Sequence, residues 1–450
     1  MPSLVLAWLL FVTNLHAQSP AAQAAPDVVS HARAIVASLT AGEFSKVEAQ
    51  FDDKVKAALP PGRLETLWTG LLDQVGAYKS CSPDSRVVTI GDKQMVITPC
   101  EFERAKIDLQ IALDPAGRIS GLTYRPAGGG AAGRPTLAPP YKVPMYADPS
   151  KYTEADATVG SGEWALPAAL TMPVGTGPFP AIVLVHGSGP NDRDETLGAN
   201  KPFKDLATGL ASRGIAVLRY EKRTKVYGAK GTTGGDYTVK QEVVDDAVEA
   251  VKLLRSEKRI DPSRVFVLGH SLGAMVAPRI AAADPKIAGL IVMAGAARPL
   301  EDAMLMQIRY LAMADGTVTA EEQAAVDQTQ KLVDSVKALK PADAAAGRMI
   351  AGAPASYWID LDAYDPPSAA KAVKVPMLIL QGERDYQVTM EDFAKWKAAL
   401  GPRADVTFHS YATLNHLFVP GSGPSLPAEY QIPGHVDEAV IKDIAAWIAR

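Results

Sequence analysis

At 450 residues, with 47% apolar and 21% charged residues, the chain is long enough for two globular domains with ample core. A net charge of -4 gives no electrostatic footprint for nucleic acid or for an anionic membrane surface. The two cysteines, Cys81 and Cys100, cannot by themselves close a tetrahedral zinc site.

The chain opens on an apolar run at 4–12, polar Thr13 and Asn14, and a small-residue site ending at Ala17. This pattern predicts a secretory signal peptide over 1–17, too short to span a bilayer. No Lys or Arg precedes its apolar part, and a buried first helix is the alternative. Export to the periplasm or the medium would put Cys81 and Cys100 in an oxidising compartment, where an isolated pair reads as a disulfide. Without export they read as two reduced, buried thiols.

Residues 27–125 carry helical periodicity at 28–39, 45–59 and 64–75, then strand-like runs at 86–90, 94–98, 107–113 and 119–124. Helices followed by a meander of strands predict a small α+β domain, in which no nucleophile or acid–base pair stands out. In pattern and position it resembles the NTF2-like or cystatin-like accessory domain found ahead of some bacterial hydrolases. A Gly/Pro/Ala-rich linker follows at 126–140.

From 141 to 450 apolar strand runs alternate with helical patterns. Strands are predicted at 181–185, 215–220, 264–268, 290–293, 377–380 and 406–411, with 169–173 as an antiparallel edge. Helices are predicted at 204–213, 239–256, 274–283, 394–400 and 436–449. Continuous apolar strands between helices mean a mostly parallel sheet covered on both faces. The rhythm breaks at 299–376, where helices at 301–314, 320–339 and 342–349 form an insertion without a strand.

Gly269-His270-Ser271-Leu272-Gly273 directly follows one of these strands and precedes a helix. In that context G-x-S-x-G is a nucleophile elbow: the glycines allow a sharp reversal, and the Ser271 hydroxyl is exposed above the sheet. After the strand at 181–185 comes His186-Gly187-Ser188-Gly189-Pro190, whose glycines let backbone amides approach a developing alkoxide.

On these residues the C-terminal region resembles the α/β-hydrolase family. The resemblance implies a nucleophile, acid and histidine in that chain order, each on the loop after a given strand. It assigns Ser271 as nucleophile and Asp385 as acid, within Gly382-Glu383-Arg384-Asp385-Tyr386-Gln387-Val388. It assigns His416 as base, after the last strand. Glu383 is the local rival for the acid, Asp360, Asp362 and Asp365 are poorer ones, and His409 and His435 sit in the last strand and at the last helix. The oxyanion hole falls to the N–H of Leu272 and to that of Gly187 or Ser188. The family's lid position falls on 299–376, whose Met304, Leu305, Met306, Leu311, Met313, Tyr357 and Trp358 read as packing for the greater part. Some of them are expected above Ser271.

The block 186–223, with Asn191-Asp192-Arg193-Asp194-Glu195 and Arg219-Tyr220-Glu221-Lys222-Arg223, resembles a bacterial carboxylesterase subfamily that carries the same kind of accessory domain. The resemblance implies an exported serine carboxylesterase for small-molecule esters of short to medium acyl chains. It needs no metal or organic cofactor, no nucleic acid and no stable membrane insertion. The charged run 191–195 reads either as a solvated loop or as the mouth of the site. A prolyl-oligopeptidase-like peptidase, an acyltransferase and a non-catalytic binding protein are the rivals. A serine at the elbow disfavours dehalogenase, epoxide-hydrolase and dienelactone-type chemistry.

Overall fold

A computed structural model of the chain describes residues 26–59, 62–90, 93–126, 141–228, 230 and 237–450. The expected signal peptide, and the expected linker beyond its first residue, lie outside the described residues. The contacts divide the chain into two compact units.

In the N-terminal unit helices α1 (Pro26–Thr40), α2 (Phe44–Glu48), α3 (Asp53–Ala58) and α4 (Arg63–Val75) precede an antiparallel sheet. Its strands are β1 (Tyr78–Cys81), β2 (Arg86–Ile90), β3 (Lys93–Phe102), β4 (Lys106–Leu113) and β5 (Ile119–Pro126). Strand β3 is the hub, pairing with β1 and β2 on one side and β4 on the other. Ile107, Leu109, Ile111 and Leu113 of β4 are buried in alternation, as a sheet with one face on the core requires. Ile35, Leu39, Leu64 and Trp68 from the helices cover that face. The helix expected over 45–59 is broken in two. Phe51 pairs with Ile119 in a parallel bridge, and Asp52 then caps α3 by accepting the Val55 N–H at 2.8 Å. Strand β1 was not anticipated; it sets Cys81 opposite Cys100, and the two form a disulfide.

The C-terminal unit alternates strands and helices around one eight-stranded sheet. It runs β6 (Tyr152–Val159), β7 (Leu166–Pro173), β8 (Phe179–Val185), α5 (Pro202–Ala211), β9 (Ala216–Tyr220), α6 (Arg223–Tyr227), α7 (Asp245–Ser256) and β10 (Ile260–His270). Then come α8 (Leu272–Met275), α9 (Ala277–Ala283), β11 (Leu290–Met293), α10 (Leu300–Ala312), α11 (Ala320–Lys337) and α12 (Pro341–Ala345). A small hairpin, β12 (Met349–Ile350) and β13 (Ala353–Pro354), leads to α13 (Ala355–Asp362) and α14 (Pro366–Ala372). The chain closes with β14 (Met377–Gly382), α15 (Met390–Leu400), β15 (Val406–Tyr411) and α16 (Glu438–Ile448).

The strands order as β15-β14-β11-β10-β8-β9-β7-β6. From β15 to β9 neighbours are parallel; β7 and β6 are antiparallel. Strands β8, β10, β11 and β14 are buried over their apolar stretches, because helices cover both faces. Parallel strands end on one side of the sheet, so the loops after β8, β10, β14 and β15 converge there. The run expected as an edge is β7, an inner strand; the edge is β6, mostly exposed and polar, so it carries no apolar signal. The insertion also holds the β12–β13 hairpin, and α14 returns to pack beside α15. Among the described residues no helix is long and apolar enough to cross a membrane.

Candidate active site

Ser271 sits between β10 and α8 with φ 54° and ψ -116°, a backbone region that side chains other than glycine rarely adopt. Its surroundings enforce that turn. A Cβ on Gly269 would collide with the Gly273 carbonyl, and one on Gly273 with the Val185 carbonyl and, at 2.7 Å, with the His186 carbonyl. The Ser271 N–H donates to the Met293 carbonyl at 3.0 Å. Leu272 opens α8, so its N–H has no acceptor within the helix and lies at the positive end of the backbone dipoles. Glu195, Ala294 and Phe418 also have positive φ, in the loops after β8, β11 and β15. Strain therefore gathers at the same end of the sheet.

Asp385 and His416 meet from the loops after β14 and β15. His416 Nδ1 lies 2.7 Å from Asp385 Oδ2, with both side chains almost wholly buried. Asp385 Oδ1 accepts the Gln387 and Val388 N–H groups at 2.7 and 3.0 Å, and Gln381 Nε2 donates to Oδ2 at 3.3 Å. A carboxylate fixed this way can hold one tautomer and one orientation of an imidazole. Among the described residues Ser271 Oγ and His416 Nε2 make no hydrogen bond, either to each other or to another group. The rivals stand elsewhere. His409 pairs with Asp443 and His435 with Asp205. Glu383 accepts from the Ser410 hydroxyl, and Asp360 pairs with Arg279.

The loop after β8 comes up against the elbow: a Cβ on Gly187 would lie 3.0 Å from Ser271 Cβ and 3.5 Å from Ser271 Oγ. The Gly187 N–H is already engaged, donating to Glu195 Oε1 at 2.6 Å. The Gly187 carbonyl accepts from Lys222 Nζ at 2.7 Å and from Asn191 Nδ2 at 3.1 Å. Lys222 is buried and pairs with buried Glu242 at 2.8 Å. The N–H groups of Ser188 and Leu272 have no acceptor among the described residues.

Glu195 enters the sequence reading only as one residue of the run 191–195, and His270 does not enter it as a member of the site. Glu195 Oε2 lies 2.8 Å from His270 Nδ1, and His270 Nε2 lies 2.9 Å from the His416 carbonyl. A carbonyl oxygen has no proton to give, so Nε2 is the donor there. A carboxylate at Nδ1 then favours the doubly protonated ring. Burial alone would depress the His270 pKa, but the charge of Glu195 overrides it and the pKa is raised. Burial likewise pushes Glu195 up, and His270 outweighs it, holding the carboxyl below its usual range. His186, fully buried between Phe203 and Tyr220, is driven the other way, down to about 4, by desolvation.

The charged run at 191–195 is a folded loop locked by ion pairs. Asp192 Oδ1 accepts the N–H groups of Asp194 and Thr196. Arg193 pairs with Glu221 at 2.9 Å. Asp194 meets Lys201 and the fully buried Arg219. The only sequence signal for Glu195 is its place in this block, where its role is hidden by three charged neighbours.

Helix α10 of the insertion is fastened to the loops that carry Asp385 and His416. Gln307 Nε2 donates to the Gln387 carbonyl at 3.0 Å, the Tyr310 hydroxyl to the Ser425 carbonyl at 3.1 Å, and Tyr310 stacks on Tyr386 at 5.1 Å. Tyr357 and Trp358 are buried in the main core, whereas Met313 is exposed.

Residues 178–419 match the sequence family described as serine aminopeptidase, S33. Residues 32–122 match a family described as a protein of unknown function. Over 415 residues, 92% of this chain and 94% of the relative, the sequence is 39% identical to esterase EstD of Thermotoga maritima. Among solved structures, an esterase of Pyrococcus furiosus is 16% identical with a TM-score of 0.42, over 66% of this chain and 91% of that one. A 2,6-dihydroxy-pseudo-oxynicotine hydrolase is 19% identical with a TM-score of 0.40, over 65% and 66%.

Proposed function

The chain belongs to the α/β-hydrolase family described as serine aminopeptidase, S33, and is an esterase of the serine-hydrolase class; from that premise we propose an exported carboxylesterase for short to medium acyl chains, acting through Ser271, His416 and Asp385. The observation that carries this reading is the buried Asp385–His416 pair at 2.7 Å, held on the same end of the sheet as the strained Ser271.

The geometry suits the chemistry in this way. Neutral His416 takes the Ser271 proton as Oγ attacks the ester carbonyl, and Asp385 stabilises the imidazolium that results. The oxyanion rests on the Leu272 N–H and on an N–H of the loop after β8. His416 then returns the proton to the leaving alcohol, and an acyl-Ser271 ester remains. A water deprotonated by His416 attacks that ester and releases the acid.

Hydrolysis of p-nitrophenyl esters of increasing acyl length by the purified protein tests this, with Ser271→Ala alongside. Turnover of short and medium chains that falls at least about 10⁴-fold in the variant is expected. Turnover retained by Ser271→Ala would end the proposal. The family's description favours one second reading, an aminopeptidase, which predicts faster cleavage of aminoacyl p-nitroanilides than of any ester.

Export is supported by the apolar run at 4–12 and by the Cys81–Cys100 disulfide, which suits an oxidising compartment. N-terminal sequencing of the protein recovered outside the cytoplasm is expected to begin at Gln18; a protein retained in the cytoplasm with Met1 intact would refute it.

A further inference from the structure

Two buried charges grip the peptide units on either side of Gly187, and neither is used by the reaction as described. The Glu195 carboxylate accepts the N–H of the 186–187 peptide at 2.6 Å, and the Lys222 ammonium donates to the carbonyl of the 187–188 peptide at 2.7 Å. In a trans peptide the C=O and the following N–H point in opposite directions. Holding the Gly187 carbonyl on Lys222 therefore fixes where the Ser188 N–H points, and Glu195 withdraws the Gly187 N–H from use.

The grip extends to the other two reacting loops. Glu195 lies against His270, the residue before the nucleophile, and His270 holds the carbonyl of His416. Lys222 is itself held by Glu242, ahead of α7. Burying four such groups carries a desolvation cost, which each pair offsets only if its geometry is kept. The arrangement is thus stiff, as a hole formed before the oxyanion appears must be.

We infer that Glu195 and Lys222 are positioning residues for the oxyanion hole, and that the loop's donor is the Ser188 N–H, with Leu272 as its partner. The inference rests on the Ser271 reading above and deepens it. Neither side chain touches the ester; both act through the backbone of Gly187 and Ser188.

The test is steady-state hydrolysis of the p-nitrophenyl ester turned over fastest, with inhibition by a trifluoromethyl ketone whose serine adduct carries the same oxyanion. Lys222→Met leaves Glu242 buried and unpaired, so Lys222→Met/Glu242→Gln is made beside it to keep a folded variant available. Both are expected to lose about 10²-fold in kcat with KM changed by less than about threefold, and the ketone's inhibition constant should rise in step. Glu195→Ala should behave the same way. Glu195→Gln, which still offers an oxygen to the Gly187 N–H, should keep kcat within about threefold of the parent.

A folded double variant with parental kcat and ketone affinity overturns the inference, as does a loss confined to KM. Equal losses in Glu195→Gln and Glu195→Ala would overturn the part assigned to Glu195. Ser271→Ala separates the two levels. If it stays active, the serine mechanism fails; if it is dead while the charge variants are unimpaired, only the positioning role fails.

Discussion

Two loops that meet over Ser271 are held in place by different physics. The elbow at 269–273 is fixed by sterics, with glycines pressed against the Val185, His186 and Gly273 carbonyls and a strained serine between them. The loop at 186–195 is fixed by charge, with Gly187 held between buried Glu195 and Lys222. A steric constraint is local and does not titrate. A charge-built one depends on partners from distant segments and on pH.

The largest break in this comparison is expected on the steric side. Gly273→Ala drives a methyl group into two backbone carbonyls that cannot move without displacing β8, and a loss above about 4 kcal/mol, read as failure to accumulate folded protein, is expected. Normal yield and melting would show that the elbow has slack.

On the charge side the expected effect is smaller and conditional. Lys222→Met strands Glu242 and should cost about 3 kcal/mol by chemical denaturation, whereas Lys222→Met/Glu242→Gln should recover most of it. Equal losses in both would mean that Lys222 stabilises through packing alone.

The smallest expected effect is a pH dependence of the Glu195–His270 pair. The His270 pKa is raised above its ordinary 6.5, so its contribution is complete below pH 6.5 and is lost as pH rises through the raised value. The Glu195 pKa is lowered, so its contribution is complete above 4.5 and is lost as pH falls through the lowered value. The titratable groups facing this pair are Asp385 and the His416 ring, 4.7 Å from that of His270, and His186 beside Glu195, which is uncharged above about pH 4. Melting curves should therefore show Glu195→Gln furthest below the parent between about pH 4.5 and 6.5, with the gap closing toward pH 9. A gap independent of pH would remove the charge pairing from the account.

The same contrast explains what could be read from the chain. The parallel strands announce themselves as apolar runs because both faces are covered, and the elbow is contiguous and carries its glycines with it. Asp385 and His416 are visible through their places after β14 and β15, and the structure sets them in contact. Edge strand β6 is hidden because an exposed strand needs no apolar residues. Strand β1 is hidden in the same way, with two of its four residues exposed. The clamp on Gly187 is hidden for a different reason. Its members at 187, 195, 222, 242 and 270 come from four separate segments, and each alone looks like a surface charge or a turn residue. Burial gives them their meaning, and burial is a property of the folded chain.

In the proposed reaction Ser271 carries the acyl group. Labelling the purified protein with a fluorophosphonate and mapping the adduct by peptide mass spectrometry tests it most directly. One adduct is expected, on the peptide bearing Ser271, absent from Ser271→Ala and lost together with esterase activity. An adduct on another residue, or full ester hydrolysis by protein whose Ser271 is blocked, would contradict it.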